Sequence, residues 1–309
     1  MANSVLSAPQ FQDENAAFEY VEAHLWPRGP VCPHCQNTDG TKIGRLNGKT
    51  TRPGLRKCYA CRKPFTVRIG SIFEDSHLAL HLWLQVIHLM CASKKGISTR
   101  QVQRMLQCSM KTAWHLTHRI RLAMVDGSEN GPLGGFGKHV EADETYFGRR
   151  AGVPKAKGGG SHKMAILSLI ERGGEARSFH IERTTSKNIA PLVAKHVDPQ
   201  SVLNTDEAEH YKTIGRQFAG HGSVSHARGE YVKGTAYTNT AEGFFSVFKR
   251  GMIGVYQHCD ERHLHRYLAE FDFRYNARQK LGVTDTQRTS RAVMGGKGKR
   301  LTYETIGKA

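Results

Sequence analysis

The sequence predicts a multidomain α+β protein made of a small metal-binding ribbon, a helical region and a larger α/β domain. Two Cys-x-x-Cys pairs lie between residues 32 and 61, helical patterns follow up to residue 126, and strand-like runs alternate with helical ones after residue 136. At 309 residues with 39% hydrophobic content, the chain is long enough for two or three globular domains. The predicted divisions are residues 15–70, 75–126 and 136–285, followed by a flexible basic tail at 286–309.

The charge of the chain favours a polyanionic partner. The formal net charge is +18, and binding to nucleic acid would release the counterions condensed on it. The basic residues are spread along the chain, and no run approaches the ~18 apolar residues of a membrane span. The N-terminus lacks the pattern of a signal peptide, so we expect a cytosolic protein associated with the nucleoid and not with a membrane.

The two cysteine pairs predict a zinc ribbon. Cys32-Pro-His-Cys35 and Cys58-Tyr-Ala-Cys61 enclose 22 residues, and four thiolates complete a tetrahedral zinc shell. The segment has few apolar residues, so Zn²⁺ is expected to be structural. The alternative is a chance occurrence of two Cys-x-x-Cys units.

The next region predicts a helix-turn-helix. Ser76 is expected to cap a long apolar helix, and Ser98 and Ser109 to cap two shorter helices joined by a turn. Ala113, Leu116, Ile120 and Ala123 form the expected buried stripe of the second of these helices. DNA contacts are predicted from another face of that helix, at Lys111, His115, His118 and Arg119. The alternative is an ordinary helical hairpin.

A linker-like segment, residues 126–135, precedes the α/β domain. Strand-like runs cover residues 137–146, 163–171 and 176–182, a helical pattern covers 186–196, and a fourth strand-like run covers 201–206. Strands followed by a helix and then by a parallel-type return strand are typical of an RNase H-like α/β core.

Three carboxylates and a lysine are placed for phosphoryl-transfer chemistry. Asp143 and Asp206 belong to strand-like runs, and Glu242 follows Asp206 after 35 intervening residues. Glu242 and Lys249 are seven residues apart, so a helix would place them on one face. Carboxylates bind the Mg²⁺ or Mn²⁺ ions that in-line displacement at a phosphodiester requires, and a lysine can bind phosphate.

Each carboxylate also has a structural interpretation. Asp206 with Glu209, and Asn239 with Glu242, have the spacing of a helix capping box, and Asp143 could simply end a strand. Glu141, Glu144 and Glu207 are the neighbouring acids most easily confused with the proposed ligands. Asn239 is an alternative to Glu242, which we favour because of its spacing to Lys249.

The order of these groups resembles the DDE site of transposases and retroviral integrases, and the whole chain resembles insertion-sequence transposases of the IS1595 family. The resemblance rests on Cys32-Pro-His-Cys35, Val140-Glu-Ala-Asp-Glu-Thr-Tyr-Phe-Gly148, Asn204-Thr-Asp206 and Asn239-Thr-Ala-Glu-Gly-Phe-Phe-Ser-Val-Phe-Lys-Arg-Gly251. It implies that Asp143, Asp206 and Glu242 are catalytic metal ligands and that Lys249, beside Arg250, contacts DNA.

The expected function is therefore that of a DNA transposase. It would bind the terminal repeats of its element, nick DNA and join the freed 3′-hydroxyl to target DNA, as a homo-oligomer that brings two ends together. Two alternatives are a non-catalytic DNA-binding regulator with the same domains and a metal-dependent nuclease that cuts without joining.

Overall fold

The computed structural model describes residues 4–125, 131–157, 160–225, 230, 232 and 234–302. The chain forms two compact units. The N-terminal unit comprises Met1–Asp126 and Thr284–Ala309, and the central unit comprises Gly127–Val283. The first half of the predicted linker, residues 126–130, lies outside the described residues.

The N-terminal unit begins with helix α1 (Glu14–Leu25), which Asp13 caps by accepting a hydrogen bond from the Ala16 backbone N–H. A small antiparallel sheet follows, formed by β1 (Ile43–Arg45), β2 (Arg56–Cys58) and β3 (Pro64–Phe65) in that order. Its core is small, and the buried hydrophobic residues that form it are Cys32, Ile43, Cys58 and Phe65. So small a core needs a further link between its loops to be stable.

The helical part of the unit contains α2 (Leu80–Ala92), α3 (Thr99–Leu106) and α4 (Met110–Met124). Ser98 accepts a hydrogen bond from the Gln101 N–H, and Ser109 accepts one from the Thr112 N–H, both at 3.1 Å. The predicted caps Ser98 and Ser109, the turn between α3 and α4, and the buried stripe of α4 are confirmed.

The prediction that Ser76 caps α2 was wrong. The Ser76 hydroxyl accepts hydrogen bonds from the Leu78 backbone N–H and the Trp83 indole, so it orders the loop before the helix. The carboxylate of Glu14 instead accepts bonds from the first N–H groups of α2, those of Leu80 at 2.8 Å and His81 at 3.1 Å. A carboxylate at a helix N-terminus also interacts favourably with the helix dipole.

The predicted flexible tail contains a packed helix, α9 (Asp285–Met294). Thr284 and Gln287 form a capping box, and α9 buries Thr289, Ala292 and Val293. After the helix, a side chain at position 295 would clash with the Ala123 carbonyl, so glycine allows the chain to pass close to α4. The expectation of flexibility was wrong for residues 286–296, because α9 and the two glycines after it are closely packed, and residues 303–309 of the predicted tail lie outside the described residues.

The central unit is built on a five-stranded mixed sheet. Its strands are β4 (His139–Phe147), β5 (Met164–Glu171), β6 (Ala176–Ile181), β7 (Val202–Thr205) and β8 (Gly220–Ser223), arranged in the order β6-β5-β4-β7-β8. The pairs β4–β5 and β5–β6 are antiparallel, whereas β4–β7 and β7–β8 are parallel. Strands β4, β5, β6 and β7 match the four predicted runs closely, and the predicted helix at 186–196 is also formed, whereas β8 was not predicted.

Helices cover both faces of this sheet. On one face, Val140 and Ala142 of β4 lie in a core with α5 (Ser186–His196) and α6 (Glu209–Gly215). On the other, Phe147 lies in a core with α7 (Asn239–Gly251) and α8 (Leu264–Asn276). Alternate residues of a strand face opposite sides, so β4 contributes to both cores. Among the described residues, no helix combines the length and apolar character needed to cross a membrane.

Candidate metal sites and DNA-binding surface

The four ribbon cysteines converge at one point. Their sulfur atoms lie within 4.8 Å of one another, with Cys32 and Cys61 3.6 Å apart and Cys35 and Cys58 3.7 Å apart. Backbone N–H groups, first that of Cys61 and then that of Ala60, lower the pKa of the Cys58 thiol to about 6. Four thiols that meet at one point fit a structural Zn²⁺ ion.

A second cluster lies where β4 and β7 run side by side. Glu141 pairs with Asn204 in parallel register, and two residues further along the chain come Asp143, within β4, and Asp206, directly after β7. One carboxylate oxygen from each of Asp143, Glu144 and Asp206 lies within 4.8 Å of the others. The two predicted aspartates are therefore brought together, and Glu144 joins them.

In each carboxylate of this cluster, one of the two oxygens accepts a hydrogen bond. Asp143 Oδ1 accepts from the Glu144 N–H at 2.8 Å, and Asp206 Oδ1 accepts from the Ala208 N–H at 3.0 Å. Glu144 Oε1 accepts from the Tyr211 hydroxyl at 2.5 Å and lies 3.2 Å from His210 Nε2. Among the described residues, no hydrogen bond reaches the second oxygen of any of the three. Three fixed carboxylates with open oxygens fit a hard divalent cation.

The electrostatics of the cluster also favour a cation. Burial, together with the negative charges of Glu144, Asp206 and Glu242, raises the pKa of Asp143 to about 7, and the hydrogen bond from the Glu144 N–H acts in the opposite direction. Burial likewise raises the pKa of Asp206, with contributions from Glu144 and Glu207. A bound divalent cation would relieve this repulsion.

Glu242 lies on the exposed side of α7, as does Lys249 two turns later. Its carboxylate is not part of the cluster of three, although its charge contributes to the raised pKa of Asp143. Asn239 is the exposed first residue of α7 and does not cap it, because Thr238 occupies the cap position. The capping-box interpretation of Asn239 with Glu242 is therefore wrong.

The capping box proposed for Asp206 and Glu209 is also not formed. Helix α6 begins at Glu209 after Ala208, and no side chain caps it. Asp206 instead closes a short turn by its bond to Ala208.

Glu141 fixes the start of α7. Its carboxylate is fully buried and accepts hydrogen bonds from the N–H groups of Thr240 and Ala241 and from the Thr240 hydroxyl. Arg172 pairs with it at 2.7 Å, donates to the carbonyls of Thr235 and Tyr237, and lies over the Tyr237 ring. The charge of Glu141 is thus compensated, and its role here is to join β4 to α7.

The predicted DNA-reading face of α4 is only partly open. Lys111 is exposed and His115 is half-buried, but His118 is fully buried and Arg119 retains 5% exposure. The Arg119 guanidinium donates to the Glu74 carbonyl and lies 5.2 Å from the Trp83 ring centroid. The expectation that His118 and Arg119 face outwards was wrong, because both pack inside the N-terminal unit.

Residues of α4 also line a cavity of about 580 Å³ within the same unit. Lys111, His115 and Arg119 form one wall, and Trp83 and Arg300 lie on others. Arg300 pairs with Glu74 and Asp75 at its rim.

Comparison with known proteins identifies the family. Residues 132–276 match the ISXO2-like transposase domain, and residues 12–64 match the transposase zinc-ribbon domain. The chain is also 25% identical over 288 residues to the uncharacterized protein in transposable element ISH50 of Halobacterium salinarum, covering 88% of this chain and 94% of that protein. The two matched segments contain the acidic cluster and the four-cysteine cluster, in the order that the motifs predict. The chain therefore belongs to the IS1595 family of insertion-sequence transposases, which carry a zinc ribbon ahead of an ISXO2-like transposase domain.

Proposed function

We propose that this protein is a DNA transposase that binds the terminal repeats of its element and catalyses metal-dependent strand cleavage and strand transfer. The observation that carries the proposal is the meeting of Asp143 and Asp206 at adjacent parallel strands, beneath the helix that presents Glu242. The central sheet, with three antiparallel strands followed by two parallel ones, supports an RNase H-like fold for the catalytic domain.

In this proposal Asp143, Asp206 and Glu242 hold the catalytic Mg²⁺ or Mn²⁺ ions. When bound, such ions activate the attacking oxygen and stabilise the leaving one at a phosphodiester. Lys249 and Arg250 are exposed in the last turn of α7, where they would bind the DNA phosphates next to the scissile bond. The protein's contribution is to fix the carboxylates and to position the DNA backbone over them.

DNA recognition is assigned to the N-terminal unit. The zinc ribbon and the α3–α4 pair supply it, and Lys111 and His115 of α4 are the accessible groups for contact. Two element ends must be joined to one target, so the active form on DNA is at least a dimer. The large positive charge supports retention on the nucleoid in the cytoplasm.

Strand transfer by the purified, zinc-loaded protein tests the proposal. The substrate is a duplex that carries the terminal sequence of the element and a free 3′-hydroxyl, with Mg²⁺ and a target plasmid. We expect joined product from the wild type, loss of product with Asp206→Asn and with Glu242→Gln, and retention of product with Asn239→Ala. Glu209→Gln is the matched control, because Glu209 is an exposed acid on α6.

The alternatives give different outcomes. Metal-dependent cutting without joining would identify a nuclease and overturn the strand-transfer step. Salt-sensitive DNA binding with neither cutting nor joining would identify a regulator. Product from the Asp206→Asn variant equal to that of the wild type would exclude the proposed site.

A further inference from the structure

We infer that Glu144 is a metal ligand, and that it forms with Asp143 and Asp206 a divalent cation site that binds in the absence of DNA without needing Glu242. This inference rests on the proposed metal-dependent function and assigns its first metal site. It gives Glu144 a role that the three-carboxylate pattern of the sequence does not.

The position of the side chain carries the inference. Asp143 and Glu144 are consecutive in β4 and start towards opposite faces of the sheet, yet a carboxylate oxygen of each lies within 4.8 Å of the other and of Asp206. Of the charges acting on Asp143, that of Glu144 has the largest effect, ahead of Asp206 and Glu242. The Glu144 carboxylate therefore lies beside those of Asp143 and Asp206, while it also contacts Tyr211 of the core on its own face of the sheet.

Two residues of α6 hold Glu144 in this position. Tyr211 is fully buried and donates its hydroxyl proton to Glu144 Oε1, and His210 Nε2 approaches the same oxygen. Because both contacts are to Oε1, the other carboxylate oxygen, Oε2, receives no hydrogen bond from the described residues. The Glu144 side chain is only 9% exposed, so an open carboxylate oxygen there is costly unless a cation occupies the site.

A neutral hydroxyl is a suitable partner for a metal ligand. A buried arginine beside Glu144 would compensate its charge and weaken its attraction for a cation, as Arg172 does for Glu141. Tyr211 fixes the carboxylate and leaves its charge in place, and the neutral form of His210 does the same. Residues that hydrogen-bond to metal ligands orient those ligands in the same way in other metal sites.

Glu242 differs from Glu144 in these respects. It is exposed on the first turn of α7, and its carboxylate is outside the cluster. We therefore assign Glu242 to the ion that arrives with the DNA, and Glu144 to the ion that is bound before it.

Titration of the full-length, zinc-loaded protein with Mn²⁺ in the absence of DNA tests the inference. Calorimetry gives the dissociation constant, and the electron paramagnetic resonance signal of free Mn²⁺ checks it. We expect Glu144→Gln to weaken Mn²⁺ binding at least about tenfold, and Tyr211→Phe to weaken it about three- to tenfold. Glu242→Gln should change it by less than about threefold.

Glu207→Gln is the matched control, because Glu207 is an exposed acid whose charge also acts on Asp206. Equal weakening by Glu207→Gln and Glu144→Gln would mean that loss of charge alone is responsible, and would overturn the inference. So would a larger loss with Glu242→Gln than with Glu144→Gln, or no Mn²⁺ binding by the wild type. Thermal melting of each variant checks folding, and Tyr211→Phe keeps the test decisive if Glu144→Gln does not fold.

The outcome separates this inference from the proposed function. Strand transfer that requires Asp206, with normal Mn²⁺ binding by Glu144→Gln, would overturn the inference and leave the transposase function in place. If the variants show the expected pattern of Mn²⁺ binding but the wild type gives no strand transfer, the transposase function would be overturned and the inference about Glu144 would remain.

Discussion

The Oε2 atom of Glu141 lies 2.8 Å from the backbone nitrogen of Thr240, and this hydrogen bond joins strand β4 to the first turn of helix α7. Asp143 follows Glu141 by two residues, and Glu242 follows Thr240 by two. The contact therefore sets the position of one proposed metal ligand relative to another, across about 100 residues of sequence.

Replacing Glu141 with glutamine should destabilise the protein. The carboxamide cannot accept from both N–H groups and from Arg172 together, and it removes a charge that Arg172 requires. We expect the free energy of unfolding to fall by about 1–3 kcal/mol in urea titrations, with loss of strand transfer. Glu209→Gln, on a side chain that is 91% exposed, should stay within about 0.5 kcal/mol of the wild type. Equal stability of the two variants would contradict this role for Glu141.

Loss of zinc should unfold the ribbon and leave the central unit folded. The hydrophobic core of this segment is small, so we expect zinc bound by the four cysteines to stabilise it. Cys35→Ser removes one ligand and should reduce bound zinc from about one ion per chain to well below that. Elemental analysis measures the metal, and hydrogen exchange should show loss of protection in β1, β2 and β3. Cys108→Ser is the control, because Cys108 lies outside the cluster. Full protection of these strands in the zinc-free protein would contradict the structural role.

The stability of the metal-free protein should depend on the charge of Asp143. The pKa of this carboxyl is about 7 in the folded protein against 3.8 for an ordinary aspartate, so folding favours its protonated form. Its contribution to the free energy of unfolding therefore decreases as pH rises from about 4 to about 7, and is constant above that.

Asp143→Asn, which cannot ionise, should thus be more stable than the wild type at pH 8 in the presence of a chelator. A shift of about three units at about 1.4 kcal/mol each limits the gain to about 4 kcal/mol. The gain should shrink as the pH is lowered towards 5, and Mg²⁺ at pH 8 should stabilise only the wild type. Thermal melting between pH 5 and pH 8 measures the stability of the variant relative to the wild type. An equal gain in stability at pH 5 and pH 8 would contradict the raised pKa of Asp143.

Lys111 and Arg119 should behave differently when each is replaced with alanine. Lys111→Ala removes an exposed charge, so it should weaken DNA binding, lower the salt dependence of log Kd by about one, and leave stability unchanged. Arg119→Ala removes a buried group that contacts Glu74 and Trp83, so it should destabilise the protein by about 1–3 kcal/mol. Fluorescence anisotropy and urea unfolding measure the two effects. A purely DNA-binding defect for Arg119→Ala would contradict its buried position.

Much of this architecture could be predicted from the sequence. The run 201–206 predicted strand β7, which spans Val202–Thr205, and the paired cysteines predicted their own cluster, because local patterns determine both. The role of Glu144 could not be predicted in this way. It depends on Tyr211, 67 residues later, and β4 alone does not reveal which of its acids meets the neighbouring strand.

Two other differences between the sequence predictions and the structure also have physical causes. Arg119 satisfies the helical pattern of an exposed residue, but the loop before α2 covers it. The glycines and basic residues after α9 favour a flexible tail, whereas the capping box of Thr284 with Gln287 favours the helix that the structure shows.

The packing of α9 has a consequence for biosynthesis. Backbone bonds from Ile72 to Gly296 and from Gly298 to Gly70 make the last described segment part of the unit that also contains the first. On the ribosome, the central unit is complete before α9 has been translated, whereas the N-terminal unit must wait for it. A copy of the gene with a stop codon shortly after residue 283 would encode every carboxylate of the acidic cluster, but its N-terminal unit would lack α9. Because we propose that this unit recognises DNA, we expect late frameshifts to impair recognition while the acidic cluster is still encoded.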